Sequence, residues 1–299
     1  MTWVWSLPIE VPPRAIILPE RPVPERMRAI VPTFHDWDDA RASVESMLEC
    51  NPRPAEIVVV DDNGEGEPPR WARVSPWIRV VSYQGNRGPA FARNMGACLQ
   101  TGTEFDWLYF TDGGCTRDRS FFEEIVASAH RLAICPVAIA APVVGVGSSV
   151  ALHPINCYMT EEAILNPPCT ASGPQAIVTA NAAVNLRAFQ RVGGFRTDFP
   201  FAAGEDLDIG LRLRHLGHIA WAPRAIVAHR FEESVSDFTR RFLRYGAGNA
   251  HLEAVWCMPS LRVGGIVAGR PALQWFADLQ SRSMQVGYDS HRRARAHSA

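Results

Sequence analysis

Ile57-Val58-Val59-Val60-Asp61-Asp62-Asn63-Gly64 sets four β-branched residues in a row against two carboxylates and a turn pair. Such an apolar run makes a strand buried on both faces, and Asp-Asn-Gly is turn chemistry that ends it. Three runs of similar character surround it: Ala29-Ile30-Val31, Ile78-Arg79-Val80-Val81 and Trp107-Leu108-Tyr109-Phe110. Between them the spacing turns helical. Trp37, Ala40, Val44 and Leu48 recur at intervals of three and four behind Asp36, which is placed to cap a helix start. A second helix is expected over Ala90 to Leu99, and Ser120-x-x-Glu123 has the form of a capping box ahead of Ile125, Val126 and Ala129. Strands alternating with helices predict an α/β fold: a mostly parallel central sheet flanked by helices, with ligands beyond the carboxyl ends of its strands.

Those strand ends are acidic or polar. The first strand runs into Pro32-Thr33-Phe34-His35-Asp36, the second into Asp61-Asp62, and the fourth into Thr111-Asp112-Gly113-Gly114. No G-x-G-x-x-G follows the first strand and no Walker A loop occurs, which argues against dinucleotide and P-loop chemistry. Carboxylates at strand ends suit hydrogen bonding to a base or ribose, or holding a divalent cation that meets a diphosphate.

Composition narrows the classes further. The chain has 299 residues, and 30 Lys+Arg against 31 Asp+Glu give a formal net charge of −1, a poor match to a protein that coats nucleic acid. No nucleic-acid partner is expected. Seven cysteines form no C-x-x-C pair, so reduced thiols in a cytoplasmic protein are expected. Residues 1–27 read as a proline-rich N-terminal arm rather than a signal peptide, since prolines interrupt the apolar stretch and no basic start precedes it. Leu132 to Leu152 is uncharged and long enough to cross a bilayer, but Pro136 and Pro142 favour two buried strand segments.

In the second half, Ile177 to Asn181 leads into a helix-like piece ending at Val192, then a Gly193-Gly194-Phe195 break. Ala203-Gly204-Glu205-Asp206-Leu207-Asp208 opens another helix, where acids in the first turn serve as capping or as chemistry. Asp208 and Arg212, four apart and opposite in charge, suit an ion pair along that helix.

Taken in order, the strand-end Pro-Thr-Phe, VVVDDN, NRGPAFARNMGA, the aspartate after the fourth strand, GGF and GEDLDIGLRLRHLG resemble the family 2 glycosyltransferases of the GT-A fold. The resemblance spans about residues 28 to 230. It implies a catalytic domain over 28–232, with a nucleotide-binding half at 28–118 and an acceptor-binding half at 119–232. It also implies the activity: an inverting transfer of a sugar from a nucleotide-diphospho-sugar, UDP first among the donors, to the hydroxyl of a small molecule, glycolipid or glycan.

Carried over residue by residue, Pro32 and Phe34 would lie against the base, where packing under the sheet is the competing role. Asp62 would accept from the base N–H, with Asp61 holding the turn. Arg93 would bind base or phosphate, or form a salt bridge. Asp206 matches the general base, with Glu205 beside it. Charge developing on the diphosphate would be met by a cation or by Arg93, Arg212 or Arg230.

The family's Asp-x-Asp is reduced here to Asp112-Gly113-Gly114, so Asp112 matches either the ribose or the metal carboxylate. The implied Mg²⁺ or Mn²⁺ would rest on Asp112, diphosphate and water, with His229 as a further ligand or as a packed residue. A sugar nucleotidyltransferase would need a glycine-rich basic loop after the first strand, which is lacking; a binding protein that has lost turnover is the other alternative, favoured by the missing aspartate. Residues 233–299 read as a helical C-terminal extension with a basic tail. There, Asp237 to Tyr245 mixes aromatics and arginines on one amphipathic stretch, suited to a peripheral membrane contact, a lid over the acceptor or a homodimer contact.

Overall fold

The computed structural model describes residues 20–146, 153–231, 234–258, 261 and 265–298. Most of the N-terminal arm therefore lies outside the described residues. The first half alternates as expected: β1 (Met27–Thr33), α1 (Trp37–Leu48), β2 (Glu56–Asp61), α2 (Arg70–Val74), β3 (Ile78–Ser82), α3 (Pro89–Cys98) and β4 (Trp107–Thr111). Next come β5 (Cys115–Arg117), α4 (Phe121–His130), β6 (Ala138–Ala140), β7 (Val143–Val146), α5 (Pro154–Glu161) and the small pair β8 (Cys169–Thr170) and β9 (Gly173–Pro174). The remainder is β10 (Asn181–Asn185), α6 (Leu186–Arg191), α7 (Glu205–Arg214), β11 (Ile219–Trp221), β12 (Val227–Arg230), α8 (Val235–Trp256) and α9 (Gln274–Ser298).

Seven strands form the central sheet in the order β11-β6-β10-β4-β1-β2-β3. All neighbouring pairs are parallel except those of β10, which runs antiparallel to both β4 and β6. The apolar runs are continuous because both faces are covered. Ala29, Val31, Ile57, Val59, Trp107 and Tyr109 enter one core, while Ile30, Val58, Val60, Leu108 and Phe110 enter the other. A second sheet, β5-β12-β7, extends the domain beside β4.

Local chemistry agrees with the sequence at some boundaries and not at others. Asp36 caps α1 by accepting from the Asp39 amide at 3.0 Å. Ser120 makes no side-chain cap bond to α4, so the capping box does not form. The segment from Asn181 to Asn185 is a fully buried strand rather than the start of a helix. Its two alanines favour helix by themselves, and pairing on both edges overrides that preference. Asn185 then caps α6, accepting from Ala188 N at 3.1 Å. The uncharged stretch after Leu132 supplies β6 and β7, and its residues 147–152 lie outside the described residues. Among the described residues no helix is long and apolar enough to cross a membrane, and all seven cysteines are free.

At the C-terminus α8 and α9 pack as antiparallel neighbours at very close range. Gly246 faces the Met284 carbonyl and Gly287 faces the Leu243 carbonyl, each approach leaving no room for a Cβ. This clamp fixes the face of α8 that looks toward the strand ends.

Candidate active site

The carboxyl ends of β1, β2 and β4 open into a cavity of about 710 Å³ closed on the far side by α7 and α8. Pro32, Phe34, Asp62, Arg93, Asp112, Glu205 and Asp206 all line it. Phe34 is 43% exposed, leaving its ring available as a stacking surface at the rim.

Asp62 is buried, and its carboxylate is already engaged. One oxygen accepts from Arg87 N and the other from Gly88 N, each at 2.7 Å. It thereby ties the end of β2 to the loop that opens α3. Asp61 accepts from Asn63 N at 3.2 Å and holds the turn, as its place in the sequence implies.

Arg93, on α3, is 3% exposed and joins the two halves of the domain. Its Nη2 donates to Asp112 Oδ1 at 2.8 Å and its Nη1 to Glu205 Oε1 at 3.0 Å. Its Nε and the second oxygen of Glu205 are buried without hydrogen-bond partners. The guanidinium acts as a buried cation for two carboxylates, rather than as the surface pair the sequence left open.

Gly204, in the left-handed region at φ 92°, turns the chain into α7 and places Glu205 and Asp206 on its first turn. Asp206 Oδ1 accepts from Leu207 N at 2.8 Å. Burial, reinforced by the adjacent Glu205 carboxylate, pushes the Asp206 carboxyl up to about 7. Burial likewise raises Glu205, against the pull of Arg93.

Arg241, Arg244 and Tyr245 of α8 complete the wall, and the buried Arg244 Nε has no hydrogen-bond partner. The sequence marked this stretch as arginine- and aromatic-rich and offered a lid over the acceptor as one of three roles, without naming which side chains would reach the cavity. The signal was the spacing of three and four that puts these side chains on one helix face. Arg212 and Arg230 are spent elsewhere. Arg212 holds Asp208 and the carbonyls of Val192 and Gly194, while Arg230 pairs with Asp39.

His229 lies on β12, stacked on Phe231, and is not part of the cavity lining. Gly114 has φ 75°, and a Cβ there would stand 3.3 Å from Cγ and Oδ2 of Asp39. Among the described residues no three His, Cys, Asp or Glu side chains converge, so an all-protein metal cage is not among them. Asp112 keeps its second oxygen clear of Arg93 at the cavity edge, where a cation carried by a diphosphate could take it, and His229 lies outside the lining.

Comparison with known proteins gives the family and the fold. The model of glycosyl transferase family group 2 matches residues 122–283, and that of glycosyl transferase family 2 matches residues 29–166. Among solved structures, the mannosyltransferase PcManGT from Pyrobaculum calidifontis, in complex with GDP-Man and Mn2+, is similar at 18% identity and a TM-score of 0.55. That alignment covers 97% of this chain and 80% of the other. TarS 1-349 from S. aureus is similar at 12% identity and a TM-score of 0.52, covering 90% and 92%. No curated protein sequence matches the chain.

Proposed function

The chain belongs to the family 2 glycosyltransferases, and from that premise we propose an inverting transfer from a nucleotide-diphospho-sugar to a hydroxyl acceptor, with Asp206 as general base. One observation carries the reading: Asp206 opens into the same cavity as Pro32, Phe34 and Asp62, so a donor across the strand ends and a base for the acceptor share one space. In a single in-line displacement the acceptor oxygen forms its bond to the anomeric carbon as the bond to the diphosphate breaks. The acceptor proton passes to the Asp206 carboxylate. A carboxyl raised to about 7 is matched to that task, since a base works best with a pKa near the working pH.

Other residues position and stabilise. Pro32 and Phe34 would flank the base of the nucleotide, with UDP the first candidate, and Asp62 would accept from its N–H while holding the 87–88 loop. Arg93 keeps Asp112 and Glu205 in place beneath the donor. Arg87, Arg241 and Arg244 are among the cavity-lining cations that can meet charge on the departing diphosphate. A Mg²⁺ or Mn²⁺ would be held by Asp112 together with the diphosphate and water, and would supply positive charge for the leaving group.

Calorimetric titration with UDP, GDP and dTDP, followed by an assay for nucleoside diphosphate released on adding acceptor, tests the reading. One diphosphate is expected to bind clearly, and Asp206→Asn is expected to retain that binding and lose transfer. Equal indifference to all three nucleotides overturns it.

A further inference from the structure

Gly248 and His251, one turn apart on α8, seat the segment that turns into α7. A Cβ at Gly248 would lie 2.5 Å from the Ala203 carbonyl oxygen, and the His251 ring stands 4.6 Å from that of Phe199, centroid to centroid. Phe199 in turn packs on the Gly204 turn, where a Cβ would stand 3.0 Å from its Cε1, and Asp206 follows two residues later. From the other side His251 meets His291 of α9, with ring centroids 5.6 Å apart.

Both rings are buried at Nε2, and neither Nε2 has a hydrogen-bond partner. Asp198 Oδ2 is 4.0 Å from His251 Nε2, beyond hydrogen-bond reach, and both Asp198 oxygens already accept from Arg196. An imidazolium carries N–H on both nitrogens, so a proton taken up here would leave a buried Nε2–H without an acceptor. The charges facing His251 divide: Asp198 and Asp208 of α7 favour the cation, while Arg196 and Arg295 of α9 oppose it. On α8 itself the adjoining turns, at Ala247, Gly248, Ala254 and Val255, are uncharged. A charge on His251 also opposes one on His291, and burial holds both imidazoles below the ordinary histidine value.

We propose that His251 is a positioning residue for Asp206: as a neutral ring backed by His291 it holds Phe199 and the 199–204 turn in place, and its protonation releases that turn and the base that follows it. The inference rests on the reading of Asp206 above, and its test separates the two. What the neutral rings contribute to the fold is present above about 6.5 and is lost as pH falls through their lower folded values.

Amide hydrogen exchange of the intact protein is followed at pH 5 and pH 7.5 in peptides covering 199–206, with 57–60 as a reference strand, for wild type, His251→Phe and His251→Gln. Protection of 199–206 in the wild type is expected to fall at pH 5 by about threefold or more against the reference, and to hold within about twofold in both variants, whose side chain cannot titrate. His251→Gln keeps the comparison where the ring of Phe disturbs the packing. In the nucleoside diphosphate release assay the ratio of variant to wild-type turnover is expected to rise by about threefold or more from pH 7.5 to pH 5, with calorimetric binding of the nucleoside diphosphate within about twofold of wild type at each. Equal loss of protection in wild type and His251→Gln, or none in the wild type, overturns the inference. A turnover ratio that is the same at both pH values overturns it as well and leaves the donor reading standing. Absence of binding by every nucleotide overturns the donor reading, and the exchange measurement still decides whether titration of His251 governs the turn.

Discussion

Arg93 and Glu205 come from opposite halves of the domain and meet in a buried ion pair at 3.0 Å. Asp112 holds the other arm of the same guanidinium at 2.8 Å. Helix α7 is thus fastened to α3 and the end of β4 through one side chain, and Asp206 follows Glu205 directly on α7.

Removing Arg93 would leave Glu205 buried and uncompensated, which costs about 3–5 kcal/mol in comparable pairs. Arg93→Met is therefore expected to lower the urea unfolding free energy by about 3 kcal/mol. Adding Glu205→Gln removes the stranded charge and should recover part of that loss. A single variant within about 0.5 kcal/mol of wild type would show that the pair does not tie the halves together.

Asp206 makes a prediction about pH. Its carboxyl is raised from an ordinary aspartate value to about 7, so the folded state favours the protonated form between those limits. With Asp206 as the proposed base, transfer would need the ionised form, and kcat/KM should rise with pH through about 7 and then level. Stability runs the other way. The contribution of the protonated group is present at low pH and is lost as pH rises through about 7. Asp206→Asn should therefore cut transfer by about 10²–10⁴-fold while stabilising the fold most above pH 7. Thermal unfolding of both proteins at pH 5 and pH 8 reads the second effect; a stability difference that does not grow with pH would contradict the raised carboxyl.

The legible parts of the fold were those fixed by local pattern. Val58 and Val60 against Val59 announce a strand buried on two faces, and the sheet places them so. Asp36 announces a helix start because its cap partner is three residues away. What escaped depends on distant partners. Ala182 and Ala183 are strand residues only because β4 and β6 flank them. Arg93 is a buried bridge only because Asp112 and Glu205 arrive from elsewhere in the chain. Arg244 was visible as one of several arginines on an amphipathic stretch, and only the glycine-tight packing of α8 on α9 decides where that face points.

Under the proposed donor reading, the Asp62 carboxylate would link nucleotide binding to the order of the 87–88 loop. Both oxygens hold backbone amides, so Asp62→Ala removes two bonds and frees the loop that starts α3. Hydrogen exchange at the amides of Arg87 and Gly88 should accelerate by about tenfold or more, with nucleotide affinity falling alongside. Asp62→Asn retains one acceptor and should fall between. Weakened nucleotide binding with unaltered exchange at those two amides would assign Asp62 to the base alone.

The α8–α9 contact should be as demanding as its spacing implies. A Cβ at Gly246 would lie 1.9 Å from the Met284 carbonyl oxygen, a backbone atom that cannot move without displacing α9. Overpacking of this kind costs about 1–3 kcal/mol and more where backbone must shift, so Gly246→Ala should destabilise by about 3 kcal/mol. Because Arg244 and Tyr245 precede it on the same helix, the displaced face should also lose nucleotide affinity. Gly265→Ala is the control, since its Cβ would meet nothing within 4 Å. Chemical denaturation of the two variants should separate them by more than about 2 kcal/mol, and equal stability would mean that the two helices are free to separate at this point.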